Sequence, residues 1–245
     1  PGLPDLRAFP LRSWLSALRT AAGRLETADL GHPAAAGHPH LRQVIADYLV
    51  RVRGARADVH DVTIGTGITD GITRVCRALR RAGFTAVAVE DPSWRRLREA
   101  VIGAGLDAVS VAVDEHGLCV DELDRLPAAR AVIVGPNHQF PTGGVLSVER
   151  RMSLLAWAHR VDGLVLEDDY DTEFRYERRA LGTLQGTDPT RVALFGSVSK
   201  TLSPAVGLGW MLTPAEWTSA VGSIEARGFN PPVLDQLALA TFVQS

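Results

Sequence analysis

Short apolar runs alternate with longer amphipathic stretches along most of this chain. Each apolar run has the length of a buried strand, and the amphipathic stretches repeat their apolar positions at helical spacing. The predicted strands are Val62–Gly65, Ala86–Glu90, Ala108–Val113, Ala131–Val134, Leu164–Glu167, Val192–Phe195 and Leu208–Leu212. Strands that alternate with helices indicate a mostly parallel sheet covered on both faces. We therefore expect an α/β fold, a three-layer α/β/α sandwich around a seven-stranded sheet.

The helices are predicted from the same pattern. The clearest has apolar residues at i, i+3, i+4, i+7, i+8 and i+11 from Leu41 to Val52, and Gly54 ends it. Another runs from Val148 to Arg160, with Ser147 as its N-cap. Residues 1–30 are predicted to be an irregular arm that includes a helix over Arg12–Arg24. A single large domain, residues 1–245, accounts for this organisation.

Composition and charge exclude several classes of function. The 245 residues are 46% apolar and 22% charged, with a net charge of −2, which gives no electrostatic case for nucleic-acid binding by this chain. No apolar run reaches the length of a membrane span. Cys76 and Cys119 are expected to be reduced core residues of a cytosolic protein. The start at Pro1, without an initiator Met or a signal peptide, is expected to be a cut from a longer chain.

A lysine follows the predicted strand Val192–Phe195. Lys200 lies in a turn of small residues, and the end of a buried strand faces a crevice rather than open solvent. An amine held there can lose part of its hydration and act as a nucleophile toward a carbonyl. The alternative is an ordinary surface lysine on a loop.

Carboxylates and a tyrosine follow the strand that precedes this one. The stretch Glu167-Asp168-Asp169-Tyr170-Asp171 places four acids together, and these repel one another unless a cation or a protonated ring lies among them. A lysine at one strand end and an aspartate at a neighbouring one are the pair that pyridoxal phosphate (PLP) needs. The lysine forms a Schiff base, and the aspartate keeps the pyridine nitrogen protonated.

Several motifs together resemble the fold type I PLP enzymes and, within them, the aminotransferase-like domain of MocR/GabR-type transcriptional regulators. They are Pro1-Gly2-Leu3-Pro4-Asp5 with Phe9-Pro10 and Trp14, Gly37 with Leu41-Arg42, His138-Gln139-Phe140-Pro141-Thr142-Gly143, residues 167–174, and residues 197–204. The resemblance covers the whole chain. Ordinary aminotransferases have Asn immediately before this Pro, whereas the regulators carry an aromatic residue, as Phe140 is here. That position favours the regulators.

The resemblance implies a role for each candidate site residue. Lys200 would form the Schiff base, Asp168 would pair with the pyridinium, and Tyr170 would hydrogen-bond the ring oxygen. Trp94 would stack on the ring, and the alternative is an ordinary core or interface tryptophan. The remaining cofactor-binding positions are Gly67, Thr69, Ser197 and Ser199 at the phosphate, and His32, where the family has a tyrosine that reaches the partner subunit's cofactor.

Three departures from the family pattern touch the phosphate. His32 replaces that tyrosine, and Ile68-Thr69 replaces a Thr-Gln pair. Gly207 replaces the arginine that the family places seven residues after the lysine. Loss of a charge-assisted pair with a guanidinium costs roughly 1.5–3 kcal/mol. PLP binding is therefore expected, but weakened.

The function implied is that of an effector-sensing domain responding to an amino compound. Two alternatives remain open: a catalytic PLP-dependent class I/II aminotransferase, or a degenerate domain that no longer binds PLP. The resemblance also implies a cytoplasmic homodimer, because fold type I sites form at a dimer interface. The regulators contact DNA through an N-terminal winged helix, and we expect that domain and the C-terminal small domain to be absent from this chain.

Two other interpretations of the loops are weaker. His32, His38 and His40 share one loop, but no cysteine or regularly spaced carboxylate accompanies them, so no metal is expected. Gly65-Thr66-Gly67 with Gly71 resembles a dinucleotide-binding motif, but its third glycine is misplaced. Whether this loop belongs to a dinucleotide-binding or a PLP-binding protein, the start of the helix that follows it can bind a phosphate.

Overall fold

The computed structural model describes residues 4–31, 34–170, 182–222, 224 and 230–245. The strands are β1 (Val62–Gly65), β2 (Ala86–Asp91), β3 (Asp107–Asp114), β4 (Gly117–Leu118), β5 (Ala129–Val134), β6 (Leu164–Asp168), β7 (Val192–Ser197) and β8 (Gly209–Leu212). The α-helices are α1 (Leu11–Ala22), α2 (Pro39–Tyr48), α3 (Ile68–Arg81), α4 (Arg95–Gly103), α5 (Val148–Arg160), α6 (Leu184–Thr187), α7 (Ala215–Gly222) and α8 (Val233–Val243).

The strands form one sheet in the order β1-β8-β7-β6-β5-β2-β3-β4. From β7 to β3 all neighbours are parallel, whereas β8 is antiparallel to both β1 and β7. All seven predicted strands are present, so the fold class is confirmed, but the count of seven is wrong. The eighth strand, β4, forms an antiparallel hairpin with the end of β3. Two residues are too few to give an alternating pattern in the sequence.

The two faces of the sheet bury separate clusters, because successive side chains of a strand point in opposite directions. On β6, Leu164 and Leu166 pack with residues of α3 and α4. Val165 packs on the other face, with α5. Near β1 and β8 that second face is covered by α1, α2 and α8. These are the three layers of the predicted sandwich.

The helix predictions agree closely with the structure. Helix α5 has the predicted bounds, and the Ser147 hydroxyl oxygen accepts from the Arg150 amide at 3.3 Å. Helix α1 begins and ends slightly earlier than predicted. Helix α2 is followed by a π-helical turn over Leu49–Arg53, which Gly54 ends with a φ of 65°. Cys76 is buried as expected, but Cys119 is only partly buried and is not a core residue. In the described part of the chain, no helix is long and apolar enough to cross a membrane.

Candidate active site

The candidate site lies along one edge of the sheet. Strands β2, β5, β6 and β7 are parallel, so their C-terminal ends meet at this edge. Strand β1 ends there too, because it is antiparallel to β8, which is antiparallel to β7. The loops and helix starts that follow these strands, with the last residues of β6 and β7, carry eight of the predicted site residues: Gly67, Thr69, Trp94, Asp168, Tyr170, Ser197, Ser199 and Lys200. His32 lies outside the described residues.

The register of β6 and β7 places Asp168 beside the segment that leads to Lys200. Asp168 is the register partner of Phe195, and the next amide, that of Asp169, donates to the Phe195 carbonyl at 3.0 Å. Beyond β7 the chain turns sharply, and the Leu202 amide donates to the Val198 carbonyl at 2.8 Å. Val198 is buried and anchors this turn, while Lys200 is half-buried. The predicted pairing of these two strand ends is therefore present.

Asp168 and Asp169 point to opposite faces of the sheet. Asp168 continues the alternation of Leu164 and Leu166, which face α3. Asp169 faces the other layer, where it meets Arg53. This alternation is why only one of the two carboxylates can meet a ring that lies on the α3 side.

Arg53 and Asp169 form a buried bidentate ion pair. Nε of Arg53 donates to Oδ2 at 2.8 Å and a terminal nitrogen donates to Oδ1 at 2.8 Å. The two side chains are only 4% and 7% exposed. Burial alone lowers the pKa of Arg53, but the contact with Asp169 more than offsets this and the pKa is raised. Nothing in the sequence pattern singles out this arginine.

Tyr170 contacts the loop after β5. Its hydroxyl lies 3.2 Å from Nδ1 of His138, and the two rings stack with centroids 5.8 Å apart. The side chain of Gln139 holds this loop in place through hydrogen bonds. It is fully buried, and its amide nitrogen donates to the carbonyls of Pro92 and Phe140 at 2.7 and 2.8 Å. Phe140 is 46% exposed beside it.

The phosphate end of the predicted site is built on a row of three residues. Gly65, Gly209 and Ser197 are register partners across β1, β8 and β7. A Cβ at Gly209 would lie 2.6 Å from Cα of Gly67, so only glycine at 209 lets the loop before α3 approach β8. This contact brings the start of α3 close to Ser197.

The donors that the sequence predicts at that end, taken from the residues the structure describes, are neutral. They are the hydroxyls of Thr69, Ser197 and Ser199 and the amides of the first turn of α3, which have no partner within the helix. The Ser199 amide lies 3.4 Å from the Ser197 hydroxyl. Asp70 in the same turn is neutralised by Arg74, whose guanidinium lies 3.0 Å from it.

Gly207 adopts a left-handed conformation, with φ 62° and ψ 34°. Among the described residues, and apart from its two chain neighbours, no atom lies within 4 Å of a Cβ built there, so a side chain at this position has room but a strained backbone. Trp94 precedes α4 and is 41% exposed, with the guanidinium of Arg96 5.6 Å from its ring centroid.

Comparison with known proteins decides the family. Residues 4–244 match the model of the aminotransferase class I and II family. The chain belongs to this family.

Relatives of this aminotransferase-family chain include transcriptional regulators. It is 31% identical to the probable rhizopine catabolism regulatory protein MocR of Rhizobium meliloti and 32% identical to the pyridoxine biosynthesis regulator PdxR of Corynebacterium glutamicum. These matches cover 99% and 100% of this chain but only 49% and 52% of the relatives. The resemblance to MocR-type regulators is therefore confirmed, and the chain spans about half the length of the curated relatives it matches.

Solved structures show the same fold. An archaeal alanine:glyoxylate aminotransferase superposes with a TM-score of 0.90 at 25% identity, over 100% of this chain and 62% of that one. Aspartate aminotransferase from Thermus thermophilus superposes with a TM-score of 0.86 at 22% identity. The latter likeness supports the fold type I architecture alone.

Lys200 is the only lysine in this aminotransferase-family chain. Of its 26 lysines and arginines, 25 are arginines. A guanidinium cannot replace a primary amine in covalent binding to an aldehyde, so this property resides in one side chain of the sequence. This count is a sequence signal that distinguishes Lys200 from an ordinary loop lysine.

The residues at this edge fit PLP. An amine, a carboxylate and a tyrosine hydroxyl follow neighbouring strands at this edge, and hydroxyl and amide donors lie at the start of α3, which are the kinds of group that PLP requires. Within the described ranges, no three His, Cys, Asp or Glu side chains come together as ligands, and His38 contacts Asp29 instead.

Two buried glutamates underlie the site. Glu167 is fully buried and accepts from the amides of Leu184 and Gln185 at 3.0 Å each. Burial raises its pKa to about 7, with a further contribution from Asp169. Glu90, at the end of β2, accepts from the Gly135 amide at 3.2 Å, and burial raises its pKa to about 7 as well.

Proposed function

We propose that this chain is the PLP-binding, effector-sensing domain of a MocR-type transcriptional regulator. One observation carries the proposal: the only lysine of the chain lies at the strand-end edge where Asp168 and Tyr170 also lie. The regulators among its relatives support the assignment to transcription rather than metabolism.

Each side chain has a distinct task in this proposal. Bound PLP supplies an aldehyde for covalent attachment and a ring that withdraws electrons. Lys200 supplies the attacking amine. Asp168 holds a proton on the ring nitrogen, and the Tyr170 hydroxyl donates to the ring oxygen. The hydroxyls of Ser197 and Ser199 bind the phosphate, together with the first turn of α3.

The effector is proposed to be an amine or amino acid that competes with Lys200 for the same aldehyde carbon. Displacement of Lys200 changes the contacts of the turn after Ser197. An effector that binds one conformation of the protein more tightly than another then shifts the equilibrium between the two conformations. We further propose that the protein is a cytoplasmic homodimer. Contact with DNA would require a DNA-binding domain, such as the N-terminal winged helix that the resemblance implies.

The test is a spectroscopic amine screen on the natural protein that carries this chain. PLP bound at Lys200 gives a visible absorption band, and an effector is expected to change that band at saturation without consuming a keto acid. A protein whose band responds to no amine or amino acid would contradict the sensing role, even if PLP binds.

A catalytic aminotransferase is the second candidate, favoured by the close superposition on the archaeal alanine:glyoxylate enzyme. In that case Lys200 would also move the α-proton of the substrate. Many turnovers of amino transfer per protein molecule would favour this candidate over the regulator, whereas a sensing domain shows a single binding event.

A further inference from the structure

Arg53 reaches the site from a distant part of the chain. It is the last residue of the π-helical turn that follows α2, and Gly54 ends that turn with a positive φ. π-Turns inside helices occur frequently at functional sites. Val50, Arg51 and Val52 in the same turn are exposed, whereas Arg53 is directed inward and buried.

Its partner stands between two site residues. Asp169 directly follows Asp168 and directly precedes Tyr170 along the chain. Two short hydrogen bonds from one planar guanidinium fix both the position and the plane of the Asp169 carboxylate. Asp168 is the last residue of β6 and Tyr170 lies one residue beyond Asp169, so a fixed Asp169 carboxylate restricts the backbone that carries both neighbours.

The same pair contacts the loop that carries His138. The side-chain amide of Asn137 lies 3.5 Å from Oδ1 of Asp169. Arg151 holds this loop in turn, donating to the Asn137 side-chain oxygen at 2.7 Å and to the Pro136 carbonyl at 2.9 Å. The residues that precede Tyr170 and His138, Asp169 and Asn137, therefore belong to the same hydrogen-bonded network with Arg53 and Arg151.

We propose that Arg53 is a positioning residue for the cofactor: by holding Asp169 it sets the orientation of Asp168 toward the ring nitrogen and of Tyr170 toward the ring oxygen. Arg53 itself touches neither, since it lies on the opposite face of the sheet. This inference rests on the proposed function, because it concerns the geometry of PLP binding at Lys200.

The experiment compares Arg53→Met and Arg53→Lys with a matched control, Arg150→Met. Arg150 also forms a bidentate pair, with Asp114 at the β3–β4 flank of the sheet. Three quantities are measured: the Kd for PLP, the pH midpoint of its absorption band, and the Tm without PLP. Arg53→Met is expected to raise the Kd about tenfold or more and to move the pH midpoint by roughly half a pH unit. Arg53→Lys keeps the positive charge but loses the second hydrogen bond of the guanidinium. Its Kd for PLP and its pH midpoint are expected to lie between those of the wild type and of Arg53→Met.

Arg150→Met is expected to lower the Tm and leave the two PLP readouts unchanged. If Arg53→Met lowers the Tm but leaves the Kd and the pH midpoint at wild-type values, Arg53 is merely structural and the inference is wrong. Should Arg53→Met not fold, Asp169→Asn carries the same test with the same expected shifts. Absence of PLP binding by the wild-type protein would instead contradict the proposed function itself, which separates the two failures.

Discussion

The Tyr170 hydroxyl and the His138 ring meet across two loops that the chain makes after different strands. Their polar atoms are 3.2 Å apart and their rings are 19° from parallel. The contact joins the loop after β5 to the loop after β6 at the sheet edge that carries Lys200. It therefore presents the Tyr170 hydroxyl from a supported position rather than from a free loop.

Tyr170→Phe tests the proposed use of that hydroxyl. The variant keeps the ring stacking and removes one hydrogen bond, so we expect PLP affinity to fall about 3- to 10-fold, in line with roughly 0.5–1.5 kcal/mol. His138→Phe, as the control, keeps a ring at that position and leaves the Tyr170 hydroxyl in place, and it should weaken PLP binding less. Equal PLP affinity in wild type and Tyr170→Phe would show that the hydroxyl does not reach the cofactor.

Asp168→Asn tests the partner of the ring nitrogen. The substitution keeps size and removes the charge that would stabilise a protonated ring, so PLP affinity should fall at least tenfold, equivalent to about 1.4 kcal/mol. The Tm without PLP is measured for each variant, so that a change in PLP affinity is separated from a change in stability. Asp162→Asn, at an exposed carboxylate paired with Arg191, serves as the control and should leave PLP affinity unchanged. If Asp168→Asn and Asp162→Asn bind PLP with the same affinity, Asp168 is not the partner of the ring nitrogen.

Gly207→Arg tests whether a guanidinium is what the phosphate end lacks. The phosphate carries about −1.5 to −2 charges near neutral pH. The donors named at that end are all neutral, so a forked arginine should tighten PLP binding about ten- to a hundredfold, or roughly 1.5–3 kcal/mol. The gain should shrink at high salt if the site is open to solvent.

Gly207→Ala separates this gain from backbone strain. With φ at 62°, both substitutions are expected to cost roughly 1–2 kcal/mol of stability and to lower the Tm by similar amounts. Only the arginine variant should bind PLP more tightly. If both variants bind PLP as the wild type does, the phosphate is not held beside residue 207.

The buried carboxyl of Glu90 predicts a pH dependence of stability. Burial raises its pKa from 4.5 to about 7 in the folded protein, so the unfolded chain releases this proton first as the pH rises. The contribution of Glu90 to the free energy of unfolding therefore falls, by roughly 3 kcal/mol, as the pH rises from about 4.5 to about 7, and it is constant above about pH 7.

Glu90→Gln removes this titration while retaining an acceptor for the Gly135 amide. It should raise the Tm at pH 8 and have little effect at pH 5. Glu122→Gln is a suitable control, since Glu122 also accepts from one backbone amide, that of Ala112, but is less buried. A Glu90→Gln variant with the same Tm change at both pH values would show that Glu90 does not titrate in this range.

The fold and much of the site edge follow from local patterns. Strands β5, β6 and β7 are continuous apolar runs because a parallel sheet is buried on both faces. The sequence placed Asp168 and Lys200 after neighbouring strands, and the parallel register of β6 and β7 brings the C-terminal ends of those two strands to one edge.

Features that depend on distant contacts could not be predicted in this way. Arg53 and Asp169 are 116 residues apart, and no pattern in the sequence around either residue predicts that they pair. The conformation of Gly207 was also undecided by sequence, because a missing arginine and a required positive φ both place glycine there. Trp94 is exposed at the same edge, as a stacking residue requires, and its role there remains a prediction.

Borohydride trapping of PLP on Lys200 tests the central claim most directly. Because Lys200 is the only lysine in these 245 residues, reduction of the PLP-saturated protein should add one pyridoxyl group within them, and peptide mass spectrometry should place it on Lys200. Lys200→Arg keeps the charge and should acquire no label beyond the N-terminal amine. Labelling confined to the N-terminus in the wild type, or no label at saturating PLP, would contradict the account.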